Sequence, residues 1–108
     1  MIVNKSGLKP VGRAVLVLPY EPQKESSIIV LPESVRERAI LLDMRVTIIE
    51  IGPEAWSDEK VPRCKVGDRV LVAKHSGAFM RGTLDDVQYR IVNDRDIFTV
   101  ITGEKENG

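Results

Sequence analysis

Short apolar runs alternate with polar, turn-forming stretches along most of the sequence. Residues 14–18 are rich in β-branched residues and are closed by Pro19, so they predict a buried strand. Residues 46–51 predict a second strand that ends at Gly52 and Pro53. Similar runs predict later strands within residues 66–72, 89–92 and 96–101. This succession of short strands at close spacing is typical of an all-β barrel or sandwich.

One apolar cluster stands apart because polar stretches flank it, over residues 22–27 and 33–38. The cluster consists of Ile28, Ile29, Val30 and Leu31, and it is ended by Pro32. It is either an ordinary buried strand or a hydrophobic plug carried on a flexible arm. The polar flanks favour the plug, because disordered segments that bind partners have this composition.

Two further segments have local signatures of their own. Residues 33–44 favour a helix, since Val35, Ala39 and Leu42 fall at helical spacing and Pro32 suits a first helical turn. Residues 56–60, which begin with Trp56, have the composition of an exposed loop or hairpin tip. The chain then ends in a polar tail over residues 102–108.

The charge balance argues against some classes of function. Sixteen basic residues offset sixteen acidic residues, whereas nucleic-acid binders carry a basic excess that neutralises phosphates. A length of 108 residues indicates one domain, and 43% hydrophobic residues suffice for a small core. A net charge of zero also removes the repulsion that keeps small proteins apart, so self-association is permitted.

Candidate catalytic and metal-binding residues are sparse. Cys64 is the only cysteine, which excludes an intrachain disulfide and is typical of a reducing compartment. One cysteine and one histidine, His75, cannot complete a structural zinc site. The Asp85-Asp86 pair is more typical of a turn than of a cation site. We therefore expect no enzyme activity, no metal and no cofactor.

Targeting features are not evident in the sequence. No apolar run reaches the length of a membrane span, and residues 1–9 lack the apolar core of a signal peptide. We expect a cytoplasmic protein that binds neither membranes nor nucleic acids.

Several motifs, taken in order, resemble those of co-chaperonins of the GroES type. Residues 29–31 resemble the hydrophobic tripeptide of that family's mobile loop, and with Pro32-Glu33 they are especially similar to the mitochondrial form. The other matching segments are Pro10-Val11 with the opening strand at 15–17, the strand at 45–52, the Cys-Lys-Val-Gly-Asp motif from residue 64, and the closing segment around 84–97. The match runs from Pro10 to Ile101, nearly the whole chain.

The resemblance implies an irregular β-barrel in a single co-chaperonin domain over residues 1–108. It places a mobile loop at about residues 21–38 and a roof hairpin at about residues 52–64. Seven copies would cap a GroEL-type chaperonin in its ATP- or ADP-bound state and enclose an unfolded substrate protein. The partner would bind and hydrolyse the ATP. The implied chaperonin-binding residues are Ile29, Val30 and Leu31, with Ile28 as a fourth.

The sequence also departs from the family pattern. Ser27 and Ile28 replace the two glycines that usually precede the tripeptide, and Arg13-Ala14 replaces an Asp-Arg pair associated with subunit contacts. The family places the return arm of its loop where local propensity favours a helix, and we follow the family up to about Arg38. These departures indicate a divergent member, such as one encoded by a phage or another mobile element.

Two other functions remain open on the sequence alone. The chain could be a small β-barrel binding module that does not act on a chaperonin, although its neutral charge and 5% aromatic content argue against a base-stacking platform. It could also be a GroES-like domain of a dehydrogenase-type enzyme, although no nucleotide-binding domain or set of zinc ligands accompanies it. The mass of the protein in solution separates these alternatives from a ring-forming cap.

Overall fold

The fold is all-β, as predicted. A computed structural model describes residues 3–19 and 44–103. In these ranges the only helical element is a three-residue 3-10 turn, Asp94–Asp96. The strands are β1 (Ala14–Pro19), β2 (Arg45–Ile51), β3 (Arg69–Val72), β4 (Ala78–Arg81), β5 (Gln88–Asn93) and β6 (Ile97–Val100).

The strands form one antiparallel sheet that does not close on itself. Their order is β4-β5-β1-β2-β3-β6, so β1 and β2 are central while β4 and β6 form the two edges. The register between β1 and β2 shifts between Leu16 and Val17, where the pairing is irregular. A bulge of this kind bends a strand and increases its local twist. The arrangement is consistent with a GroES-like β fold.

Both faces of the central strands are buried. Alternate residues of a strand point to opposite faces, so Val15 and Val17 lie on one face while Leu16 lies on the other. The larger cluster comprises Val15, Val17, Val46, Ile48, Trp56, Cys64, Val70, Val72, Val92 and Ile97. The smaller cluster, on the Leu16 face, comprises Leu16, Ile49 and Tyr89 with half-buried Leu8, Leu18 and Ile91. The core of the domain is therefore centred on β1 and β2.

The strands observed at β1, β2, β3, β5 and β6 confirm the five strand predictions. Strand β4 was not predicted, because its sequence Ala-Phe-Met-Arg has no β-branched residue and it lies at an exposed edge. The predicted last strand begins at Ile97, since Asp94–Asp96 form the 3-10 turn instead. Met44 is described and is not helical, whereas residues 33–43 of the predicted helix lie outside the described residues.

Candidate functional site

The predicted chaperonin-binding residues Ile28, Ile29, Val30 and Leu31 lie outside the described residues. So does the whole of the predicted mobile loop, residues 21–38, which belongs to the segment 20–43 between β1 and β2. The two points where this segment joins the sheet are both described. Pro19, the last residue of β1, pairs with Val46 of β2. We call this pair the loop root.

The loop root is held on the two central strands. Val17 and Val46 are fully buried, and Leu18 pairs with Thr47 one position before the root. Strand β1 is paired on its other side with β5, where Val17 lies opposite Arg90. The segment 20–43 is therefore attached to the sheet at two neighbouring positions.

The predicted roof segment is folded onto the body of the domain. Residues 53–58 form consecutive turns, and no strand is assigned between residues 52 and 64. The prediction that Trp56 lies at an exposed tip is wrong, because its side chain is only 3% exposed and belongs to the larger core cluster. A tryptophan has a large apolar surface and one polar group, the indole N–H, and here that N–H forms a hydrogen bond within the core.

Asp94 fixes Trp56 in position. Its carboxylate Oδ2 accepts a hydrogen bond from the Trp56 backbone N–H at 2.7 Å, and its backbone carbonyl accepts one from the indole Nε1–H at 2.9 Å. Asp94 is 1% exposed, and its charge is compensated by Arg13, whose Nη1 lies 3.2 Å from Oδ2. The roof segment is therefore joined to the 3-10 turn by a buried polar contact.

Exposed charges extend this contact over the surface. Asp58 Oδ2 accepts a hydrogen bond from Arg95 Nη2 at 2.6 Å, and Asp58 Oδ1 lies 3.4 Å from Arg13 Nη1. The pKa of Asp58 is lowered, first by a hydrogen bond from its own backbone N–H and next by Arg13, while the hydrogen bond to Asp58 raises the pKa of Arg13. Arg13, which departs from the family pattern, thus has its carboxylate partners within the chain.

The cysteine and histidine do not form a catalytic pair. Cys64 is a core residue, and burial raises the pKa of its thiol to about 12, which disfavours the reactive thiolate. His75 is exposed and occupies a left-handed backbone position with φ 63°. Ser76 donates its hydroxyl to the Ala73 carbonyl at 2.6 Å, so that hydroxyl closes a turn.

The acidic pair shapes a turn, as predicted. Asp85 accepts hydrogen bonds from the Tyr89 hydroxyl at 2.6 Å and from the Val87 N–H at 3.1 Å, whereas Asp86 adopts a positive φ of 58°. The tyrosine hydrogen bond is the main cause that lowers the pKa of Asp85. Burial and then Asp85 raise the pKa of Tyr89 to about 12. The pair therefore fixes backbone geometry.

One surface feature was missed by the sequence reasoning. A groove of about 420 Å³ runs beside the edge strand β6. Two exposed apolar side chains line it, Phe98 at 55% and Val61 at 67% exposure. An edge strand presents unpaired backbone groups that can pair with another chain. In the sequence, the only hint that we identify is the aromatic Phe98, which follows Ile97 in the last strand and so lies on the opposite face. The groove lining is Val61, Pro62, Arg63, Ile97, Phe98, Thr99 and Val100.

Two features are absent from the described ranges. Residues 3–19 and 44–103 contain no group of three or more histidine, cysteine, aspartate or glutamate side chains placed to hold a metal ion. The same ranges contain no helix that is long and apolar enough to cross a membrane.

Comparison with known proteins identifies the family. Residues 7–101 match the family described as the chaperonin 10 kDa subunit. The co-chaperonin GroES of Finegoldia magna is 33% identical over 97 residues, which are 87% of this chain and 97% of that protein. The co-chaperonins GroES of Clostridium novyi and Pseudothermotoga lettingae are 35% and 34% identical, over 87% and 85% of this chain and 97% and 93% of theirs. The chain therefore belongs to the chaperonin 10 kDa subunit family and is a GroES-type co-chaperonin, a non-enzymatic chaperone.

Proposed function

We propose that the protein caps an ATP-driven chaperonin ring of the GroEL type and binds it through Ile28, Ile29, Val30 and Leu31. Family membership, together with this isolated apolar cluster between two central strands, carries the proposal. The matched relatives are named as co-chaperonins GroES, which supports a GroEL-type partner. An unfolded substrate protein would occupy the capped chamber, in the cytoplasm, and the chaperonin would supply the nucleotide chemistry.

The energetics of a single loop suit a cap that must also leave. Burying Ile29, Val30 and Leu31 contributes roughly 5–9 kcal/mol, at about 1.5–3 kcal/mol each. Ordering the loop opposes this by about 1–2 kcal/mol for each residue that becomes fixed. The net gain per loop is therefore small, and a change of state in the chaperonin is enough to release it.

Several copies of the chain convert these small gains into useful affinity. We propose a homo-oligomer of seven subunits, in which binding by one loop makes the next contact effectively intramolecular. The exposed edge of β6 and its apolar groove support self-association, because both features favour contact with another chain.

The variant Val30→Asp tests the proposed binding residues. We expect it to lose binding to an ATP-loaded GroEL-type chaperonin, because each subunit would place a charge in the apolar surface of the chaperonin that accepts the loop. Assembly and melting temperature should stay nearly unchanged, because an exposed substitution usually alters stability by about 0.5 kcal/mol or less. Binding is measured by surface plasmon resonance with immobilised chaperonin.

The matched control is Val66→Asp, since Val66 is a partly exposed valine in the turn before β3. This control should bind normally. Normal binding by Val30→Asp would remove the assignment of residues 28–31, and failure of Val30→Asp to fold would instead place them in a buried strand.

A further inference from the structure

The turn between β4 and β5, residues 82–87, lies at the same end of the sheet as the loop root. Val17 pairs with Arg90 in the antiparallel β1–β5 ladder, so Pro19 falls beside Gln88, where β5 begins. Pro19 also pairs with Val46 to form the loop root. A partner that grips the segment 20–43 therefore arrives at this end of the domain.

Apolar side chains are exposed on and beside this turn. Leu84 is 80% exposed, Met80 49% and Val87 40%. Met80 pairs with Tyr89, so it shares the face of the smaller core cluster, and Leu84 lies against Gly7 of the N-terminal segment on that side. We call Met80, Leu84 and Val87 the turn patch. Exposed apolar residues that are grouped in this way mark interaction sites more often than scattered ones do.

The N-terminal segment, residues 3–7, contacts the turn and restricts its movement. Ser6 is fully buried, and its carbonyl accepts a hydrogen bond from the Leu84 N–H at 2.9 Å. A Cβ on Gly82 would lie 2.9 Å from that same carbonyl, so a side chain there would push the two segments apart. The Ser6 hydroxyl donates to Asn4 Oδ1 at 2.6 Å, which fixes the segment itself. Residues 3–6 lie before the family match at 7–101, whereas the turn that they contact lies within it.

Hydrogen bonds within the turn complete its fixation. The Gly82 N–H donates to the Val87 carbonyl at 2.8 Å, and the Asp86 N–H donates to the Gly82 carbonyl at 3.1 Å. Asp85 accepts from Tyr89 and Val87, as described above. A surface that is already ordered loses less conformational entropy on binding than a flexible loop does.

We propose that the turn patch is a second, rigid contact surface for the same chaperonin. This inference rests on the proposed function, because the plug residues bring the partner to this end. A partner surface that accepts Ile29, Val30 and Leu31 is apolar. An apolar surface of this kind would also bury Leu84 and Met80. The loop provides the reach, and the turn patch fixes the orientation of the cap once the loop is bound.

The test uses the full chain with Leu84→Ser and, separately, Met80→Ser. Each should weaken binding to the ATP-loaded chaperonin about tenfold, since burying a large apolar side chain is worth about that factor or more. Mass by multi-angle light scattering and the melting temperature should not change, because both side chains are exposed. Val66→Ser is the control, since its turn precedes β3, which β1 and β2 separate from β4 and β5 in the sheet, and it should bind normally.

The outcomes separate this inference from the proposed function. If the unsubstituted chain binds, Val30→Asp does not, and both serine variants bind normally, the second surface is refuted while the plug assignment stands. If Leu84→Ser loses assembly, the turn patch is a contact between copies of this chain and the inference is overturned. If the unsubstituted chain fails to bind, both the inference and the proposed function fall.

Discussion

Trp56 is a core residue with a strained backbone conformation. It has a positive φ of 55°, which is costly for a bulky residue, by about 1–3 kcal/mol, and persists only when the surroundings enforce it. Here the surroundings are the larger core cluster and the two hydrogen bonds to Asp94. A conformation of this kind, in a segment predicted to project, is evidence that the docked arrangement is strongly determined.

Asp94→Ala tests this at the level of one residue. It removes the acceptor of the Trp56 N–H and leaves Arg13 without its buried partner, so we expect the free energy of unfolding to fall by about 1–3 kcal/mol. Urea unfolding followed by tryptophan fluorescence measures this loss, since Trp56 is the only tryptophan. Both variants are compared at one fixed protein concentration. Asp58→Ala is the control, because it removes only exposed ion pairs and should have a smaller effect. Equal unfolding midpoints for the two variants would contradict the role of Asp94.

Among the elements, the turn 82–87 has a stability that depends on titration at both ends of the pH range. The raised pKa of Tyr89 means that the folded state favours the neutral phenol. Its contribution is fully present below pH 10 and is lost as the pH rises toward about 12. The lowered pKa of Asp85 acts in the opposite range, since its contribution is present above pH 3.8 and is lost below that value. The turn is thus most stable near neutral pH.

Tyr89→Phe should remove the alkaline part of this dependence. The variant keeps the ring in the smaller core cluster but loses the hydrogen bond to Asp85, which lowers stability by about 1 kcal/mol at pH 7. Between pH 10 and 12 its free energy of unfolding should fall less steeply than that of the unsubstituted chain. Urea titrations across this range provide the measurement, and parallel pH profiles would show that Tyr89 does not couple to the turn.

The sequence predicted the elements whose apolar pattern is strong. Strands β1, β2 and β5 carry buried β-branched residues and were located to within about two residues. Strand β4 was not predicted because it has no β-branched residue and lies at an exposed edge, whereas the docking of Trp56 was not predicted because it depends on a partner distant in the chain. Asp94 lies 38 positions after Trp56, and local composition carries no information about such a contact. The mobile-element origin and residues 28–31 as the binding site remain predictions.

The whole molecule has two unlike edges. Strand β6 combines an apolar groove with the exposed Phe98, whereas β4 contributes Met80 to the turn patch. Contacts between unlike surfaces of identical subunits generate rings when the rotation closes. In the proposed assembly of seven subunits, the β6 edge would contact a surface of the neighbouring subunit other than the turn patch.

Phe98→Glu tests the β6 edge at the scale of the assembly. A charge placed beside the groove should prevent subunit contact, so the mass in sedimentation velocity should fall from about seven subunits to the 12.1 kDa of one chain. The circular dichroism of the sheet should be retained, because Phe98 is 55% exposed. Met80→Glu on the opposite edge is the control and should still assemble. A monomeric unsubstituted chain at micromolar concentration would contradict the proposed oligomer itself.

The position of the loop root sets a tether length for the proposed plug. Ile29 follows Pro19 by ten positions, whereas fourteen positions separate Leu31 from Arg45. A fully extended chain advances about 3.4 Å per residue. The shorter outgoing arm, from Pro19 to Ile29, therefore limits the plug to a sphere with a radius of about 34 Å around Pro19. The return arm has slack at that distance. Lengthening the outgoing arm would therefore enlarge the volume that the plug can search, while the same insertion in the return arm would leave that volume unchanged.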